Sequence, residues 1–454
     1  MGDHKTYAYF TAHIDKDGKT QSVREHVMNV SALSMNFVKD LGIGNIGKLA
    51  GIIHDAGKLS KEFDDYINKR NNYKRGDIDH SFAGARYICE LADKSDKRKY
   101  YNVSRMIARI VLSHHGLHDW IDEDCRDYFA KRLSEDKFYE QINKNIRTII
   151  SDEQLVSLLD KADLEYRNIR KKLNNLSKDN GELDKTEFAF YLGMFDRLIQ
   201  SVLVDADRTD AADFMAGKKQ GKEFDTGILW NDMHKKLMQK LNAFSEKKDL
   251  ISRGRMDISE RCSAFSEHRV GICRLIVPTG GGKTLSSLRF AVEYCKKYGK
   301  IKIFYIAPIM SILEQNSDEI KAISGEKALI EHHSDAVASI DSKEELHEYE
   351  LRSERWDTPI IATTMVQFLN SLFSDKMASV RRMHTLCDSV IIIDEIQSLP
   401  KKCVHLFNLA MNFLKEICGT TVVLCSATQP PLEDMRHKLH IDKLSSMTGD
   451  WRED

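Results

Sequence analysis

The sequence predicts a multidomain chain, an all-α domain followed by an α/β domain on a parallel sheet, and three of its features carry that expectation. Through residues 1–215 apolar side chains recur at helical spacing, with histidines repeatedly on the apolar faces. From Cys273 the pattern changes to short apolar runs separated by helical stretches, as in β-α alternation. The first such run, Arg274-Leu275-Ile276-Val277, leads into the loop Pro278-Thr279-Gly280-Gly281-Gly282-Lys283-Thr284. Residues 216–265 read as a helical, polar linker, 266–434 as the α/β domain, and 435–454 as a C-terminal tail.

Composition narrows the function classes. A formal net charge of −1 over 454 residues gives no global basic field, so any contact with nucleic acid must be local. The nine cysteines form no C-x-x-C pair, which predicts reduced thiols and a cytoplasmic protein. The polar start, Met1-Gly2-Asp3-His4-Lys5, does not read as a leader, and no apolar run approaches the length of a membrane span. The charged stretches at 218–222 and 246–248 read as solvated surface. So do Lys235, Lys236, Lys247, Lys248, Arg253 and Arg255, with a basic face for DNA phosphates as the less favoured reading.

In the first domain, Ser22-Val23-Arg24-Glu25 has the form of a capping box, so a helix starts there. His26, Val30, Leu33 and Phe37 follow on one face, which points His26 inward. The next helix buries Leu49, Ile52, Ile53 and Ala56 and delivers the pair His54-Asp55, followed by Gly57-Lys58. Adjacent side chains on a helix diverge by roughly 100°, so packing alone gives no reason to pair an imidazole with a carboxylate. A divalent transition ion does, because it accepts both donors.

His80-Ser81 opens a segment from Phe82 to Leu91, where a histidine could equally be an exposed cap. The stripe Met106, Ile107, Ile110 and Val111 then carries His114 inward beside His115, with Gly116 ending the helix. One buried histidine is most simply a core residue. Five at helix starts or buried faces are harder to assign to packing, since each must find hydrogen-bond partners. An acidic ligand is expected from the helix Phe188 to Val204, which runs into Asp205-Ala206-Asp207-Arg208-Thr209-Asp210 as a C-terminal acidic run. Asp205 and Asp207 lie about 100° to either side of its apolar stripe, and periodicity does not choose between them.

A lone His, then His-Asp-x-Gly-Lys, His-Ser, His-His and Ala-Asp resembles the HD-type metal phosphohydrolases. The fit is to the nuclease domain of the helicase–nuclease of type I CRISPR interference systems. The resemblance implies a helical bundle holding two metals through His26, His54, Asp55, His80, His114 and His115, with Asp55 bridging. It places the acidic ligand on Asp207 and Lys58 near the scissile phosphate. A His-rich shell favours manganese, iron, nickel or cobalt over magnesium.

In the α/β domain, glycines let backbone N–H groups wrap phosphates, Lys283 neutralises them, and the Thr284 hydroxyl can hold Mg²⁺. A helix from Leu285 to Tyr294 supplies the expected strand–loop–helix context. Val277 stands where the general pattern has glycine, as in superfamily 2 helicases, which this loop resembles. Strands are expected at Lys302–Ala307, Ile360–Thr363, Val390–Ile393 and Thr421–Cys425. After the third of these, Asp394 can order Mg²⁺ and Glu395 can position the attacking water. By the same resemblance Ser426-Ala427-Thr428 couples hydrolysis to strand movement. Ala307-Pro308 and Thr363-Thr364-Met365-Val366-Gln367 then fall where that family grips a nucleic-acid backbone. Glu331-His332-His333-Ser334 reads as a polar loop.

The residues after Pro431 are too few for a second RecA-like lobe and carry no arginine motif. The expectation is therefore an HD-type nuclease domain joined to a first RecA-like lobe that binds ATP with Mg weakly. Unwinding would need a separate chain to supply the second lobe. The expected substrate is single-stranded DNA, with recruitment by a CRISPR surveillance complex. The alternatives are an HD phosphohydrolase acting on nucleotides and a truncated, non-catalytic fragment that binds DNA or the complex.

Overall fold

A computed structural model describes residues 10–70, 72–74, 78, 80–118, 120–121, 124–134, 138–217, 224–245, 249–333, 349–350 and 352–449. The sequence features at 1–5, 218–222, 246–248 and Ser334 lie outside the described residues, as does the tail beyond Gly449. The chain forms two compact units. The first comprises Met1–Leu173, Phe195–Gly221 and Asp375–His384; the second comprises Asn174–Met194, Lys222–Ser374 and Thr385–Asp454.

The first unit is helical apart from one short antiparallel pair, β1 (Thr11–Ile14) and β2 (Thr20–Ser22). Ser22 caps α1 (Val23–Val38) by accepting from the Glu25 amide, as the sequence predicts. Against α1 lies α2 (Gly44–Ile53), and the two cross very closely. A Cβ on Gly51 would sit 2.6 Å from the Ser31 Cα, so only glycine permits this approach. The helix α3 (Lys61–Ile67) follows, then α4 (Phe82–Leu112), kinked at Asp96, whose carboxylate accepts from the Lys99 amide and caps the second segment. Two short helices, α5 (Tyr128–Leu133) and α6 (Tyr139–Asn145), precede α7 (Asp152–Leu176).

Several expected boundaries shift. Because α2 ends at Ile53, His54 and Asp55 occupy the turn after it, with Asp55 at non-helical φ −107°. Likewise α4 ends at Leu112, so His114 and His115 lie beyond the helix and Gly116 does not terminate it. A hairpin, β3 (Lys178–Asp179) and β4 (Glu182–Leu183), leads into α8 (Lys185–Met215). Asp205, Asp207 and Asp210 are therefore inside a helix rather than a C-terminal run.

The second unit carries six parallel strands in the order β5-β10-β9-β6-β8-β7. These are β5 (Ile272–Ile276), β6 (Lys302–Ala307), β7 (Leu329–His332), β8 (Ile360–Thr364), β9 (Ser389–Ile393) and β10 (Thr421–Ser426). The central strands are apolar on both faces because helices cover both. Glu331 and His332, expected in a loop, belong to edge strand β7.

The expected linker is not a linker. Residues 216–265 contain α9 (Thr226–Ser245) and α10 (Leu250–Phe265), and their Trp230, Met233, Leu237, Leu241, Cys262 and Phe265 join the core of the sheet. Nor is the described part of 435–454 loose. Arg274 of β5 donates its amide to Ser445 O at 2.6 Å, the Met447 amide returns to Arg274 O at 3.0 Å, and Met447 is buried. The segment covers the outer edge of β5.

Candidate metal centre and nucleotide cavity

Local geometry draws the histidines of the first unit onto Asp55. The close crossing at Gly51 brings the α1 face carrying His26 to the end of α2. At Gly57 a Cβ would meet the His80 carbonyl oxygen at 2.1 Å, so glycine there lets the His80 backbone press against the His54-Asp55 turn. Asp55 Oδ2 then lies 3.2 Å from His26 Nε2 and 3.4 Å from His54 Nε2. Its other oxygen, Oδ1, lies 3.5 Å from His114 Nε2 and 3.6 Å from His80 Nε2. One carboxylate thus faces two histidine pairs through different oxygens. Asp207 Oδ1 joins the first pair at 3.3 Å from His26 and 3.8 Å from His54, and His115 Nε2 joins the second at 2.7 Å from His80 Nε2.

All seven expected metal residues therefore fall into two overlapping ligand groups, His26-His54-Asp55-Asp207 and Asp55-His80-His114-His115. Asp205, which periodicity left equivalent to Asp207, is engaged elsewhere. Its carboxylate takes Arg381 Nε at 2.6 Å and lies 3.4 Å from His384 Nε2, both from the segment Asp375–His384. Lys58 is buried with its ammonium 2.7 Å from Asp55 Oδ2.

The donor chemistry fits a cation. His54 Nδ1 donates to Gly51 O at 2.9 Å and His114 Nδ1 to Val111 O at 2.6 Å. Carbonyl oxygens only accept, so these imidazoles keep a proton on Nδ1 and turn Nε2 to the centre, where a metal that displaces any proton finds a lone pair. The buried Nε2 atoms of His26, His54 and His114, and Asp55 Oδ1, make no hydrogen bond. Buried polar atoms are seldom left so, and here they converge. Burial opposes a charged His26, yet the carboxylates of Asp207, Asp210 and Asp55 hold its pKa up to about 10. Against the same burial, Asp55 and Asp207 hold His54 up to about 9. Burial also works against ionised Asp55 and Asp207, but Lys58 and the imidazoles keep Asp55, and His26 and His54 keep Asp207, well below the usual carboxylate range. The site attracts positive charge.

Two neighbours escape the sequence reading. Asp210 Oδ2 accepts from His26 Nδ1 at 2.7 Å; its position three residues beyond Asp207 on one helix was the available signal. His13 of β1 sets its ring 4.7 Å from that of His26, and burial together with the charges of Lys58 and His26 pushes its pKa down to about 3. Nothing in the strand pattern marks His13. A third grouping, Asp184, Glu187 and His437 in the second unit, has a local explanation: Asp184 accepts from the Thr186 and Glu187 amides, and His437 Nδ1 donates to Glu187.

In the second unit, β5 passes through the glycine loop into α11 (Lys283–Tyr298), capped by Gly282 in a left-handed conformation at φ 81°. Thr279, Gly280, Gly282, Lys283, Asp394 and Glu395 line a cavity of about 390 Å³; Thr284 also lines it. Lys283 pairs with Glu395 and lies 4.0 Å from Asp394. A polar chain fixes the rest: Thr284 donates to Asn316 at 3.0 Å, Asn316 to Tyr305 at 2.9 Å, and Tyr305 to Asp394 at 2.7 Å. Asn316 comes from α12 (Met310–Ser324). Burial raises the Asp394 pKa; Glu395, despite burial, is held low by Lys283 and Gln397.

Residues 23–164 match the HD domain family and residues 239–435 the DEAD/DEAH box helicase family. The CRISPR-associated nuclease/helicase Cas3 of Haloferax volcanii is 30% identical over 185 residues, 36% of this chain and 19% of that protein. The chain thus resembles Cas3, with an HD domain followed by a helicase domain. Among solved structures, ATP-bound T. fusca Cas3 superposes with a TM-score of 0.56 at 16% identity, over 96% of this chain and 52% of its own. A second structure of T. fusca Cas3 gives 0.54 at 17% identity, over 93% and 50%. Both support the fold: a helical HD region followed by a parallel six-stranded sheet. The chain spans about half the length of these solved relatives. The HD match stops short of Asp207, which reaches the site from α8. No helix among the described residues is long and apolar enough to cross a membrane.

Proposed function

We propose that this Cas3-like HD–helicase is a metal-dependent nuclease that cleaves single-stranded DNA in CRISPR defence, joined to the ATP-binding lobe of a DNA helicase. The observation that carries the reading is Asp55, whose two oxygens face separate histidine pairs. His26, His54, Asp55 and Asp207 would hold one divalent ion, and Asp55, His80, His114 and His115 the second. When bound, two such ions supply a clamp on phosphate oxygens and acidify a water towards neutral pH. The histidine-rich donors fit manganese, iron, nickel or cobalt better than magnesium.

The chain's own residues do the rest. Imidazoles fixed through Nδ1 need no reorganisation on binding, and Lys58 adds a cation beside Asp55 for the scissile phosphate. In the second unit Lys283 and the loop amides would seat the phosphates of ATP, Thr284 and Asp394 would hold Mg²⁺, and Glu395 would position water. A CRISPR surveillance complex is the partner this reading implies, in keeping with a CRISPR-associated relative, and the free cysteines suit a reducing cytoplasm.

The test is digestion of circular single-stranded DNA by the metal-free chain, with and without Mn²⁺. Cleavage that requires Mn²⁺ and disappears in His54→Ala is expected. Turnover of mononucleotides without DNA cleavage would instead assign a nucleotide phosphohydrolase. A chain that takes up no metal and cuts nothing would be a non-catalytic binding fragment.

A further inference from the structure

Resting on the two-metal reading above, we infer that the two ion positions are unequal, and that Asp210 makes the His26 side the tight one. Asp210 is 5% exposed and fully engaged. Its Oδ2 accepts from His26 Nδ1 at 2.7 Å and from Gln21 Nε2 at 2.8 Å, and its Oδ1 accepts from Asn29 Nδ2 at 2.7 Å. With three donors converging on it, this carboxylate is not a ligand. It is a positioning group. Because a carboxylate accepts, His26 keeps a proton on Nδ1 and aims Nε2 between Asp55 and Asp207, so that the Nε2 lone pair is the one offered to a metal. A charged acceptor behind an imidazole also makes that imidazole a stronger donor to a metal than a neutral carbonyl does.

The other inner imidazoles lack that charge. His54 and His114 lean on the backbone carbonyls of Gly51 and Val111. The two ligand groups differ in the same sense. The His26 group holds two carboxylates, with His26, His54 and Asp55 buried and Asp207 half-buried; the other holds only the shared Asp55, with His80 half-buried and His115 exposed. More negative charge, less water and a charged support all favour the first position. The second is open to solvent, so its ion exchanges while the first stays.

Calorimetric titration of the full metal-free chain with Mn²⁺ tests this. Two binding steps are expected, one tighter than the other. Asp210→Asn keeps the side-chain shape but removes the charge, and should weaken the tighter step about 10–100-fold while leaving the weaker one in place. His115→Ala should do the converse. Asn29→Ala, a milder change that spares the carboxylate, should weaken the same step as Asp210→Asn by less, which guards against a variant that fails to fold. Equal steps, or an Asp210→Asn change that leaves the tighter step untouched or weakens both alike, overturn the inference while the two-metal reading stands. An unaltered chain that takes up no Mn²⁺ overturns both.

Discussion

At the residue scale, Asp55 is asked to do three things: face two histidine pairs and hold Lys58 at 2.7 Å. Asp55→Asn is accordingly expected to abolish Mn²⁺-dependent cleavage, read on circular single-stranded DNA, without loss of helical circular dichroism. Lys58→Ala should retain metal but lower cleavage about 10²-fold or more, the usual cost of removing one electrostatic partner of a developing charge. Protons and metal compete for the same nitrogens. With the His26 and His54 pKa values raised to about 10 and about 9, both imidazoles are protonated at neutral pH in the metal-free chain. Metal loading must then release on the order of two protons, so apparent affinity rises with pH, measurable as heats that depend on the ionisation enthalpy of the buffer. The stability of the metal-free fold runs the opposite way with pH. Raised values stabilise the metal-free fold fully below the ordinary histidine range, and that contribution is lost as pH climbs through about 9 and about 10.

Elements explain how such a cluster forms. The crossing of α1 and α2 at Gly51 sets the spacing of His26 and His54, so Gly51→Ala should force the helices apart. A thermal melt is expected to show about 1–3 kcal/mol of destabilisation, with weaker metal uptake alongside. Much of this was legible beforehand: the Ser22 cap, the inward His26, and the strand–glycine loop–helix unit need only local signals. Other parts were not. That Asp205 pairs with Arg381 while Asp207 faces the histidines is something no helical period near residue 205 can reveal. Strand β7 has only four residues, two of them polar, and sits at a sheet edge. The helices α9 and α10 looked like a linker because their outer faces are densely charged; Trp230, whose indole donates to Lys300 O at 3.0 Å, was the apolar signal underweighted there.

For the molecule as a whole, ligands and stability are linked. A metal bound only by the folded first unit stabilises it by about 2.7 kcal/mol at a hundredfold excess over its dissociation constant. Chelation should therefore lower the melting temperature of the chain, and Mn²⁺ should restore it. In the second unit Lys283 is already occupied by Glu395, so ATP must displace one anion to gain another. Lys283→Ala is expected to abolish binding of a fluorescent ATP analogue.

The pairing of Asp205 with Arg381 also bears on biosynthesis. The helical unit is not finished when the ribosome has passed residue 215, because the guanidinium that neutralises this buried carboxylate arrives some way further along the chain. A protein cut after α8 would leave the buried Asp205 without Arg381, and removing one partner of a buried ion pair costs about 3–5 kcal/mol in comparable cases. Nascent chains should accordingly gain a protease-resistant helical unit only once the segment ending at His384 has emerged.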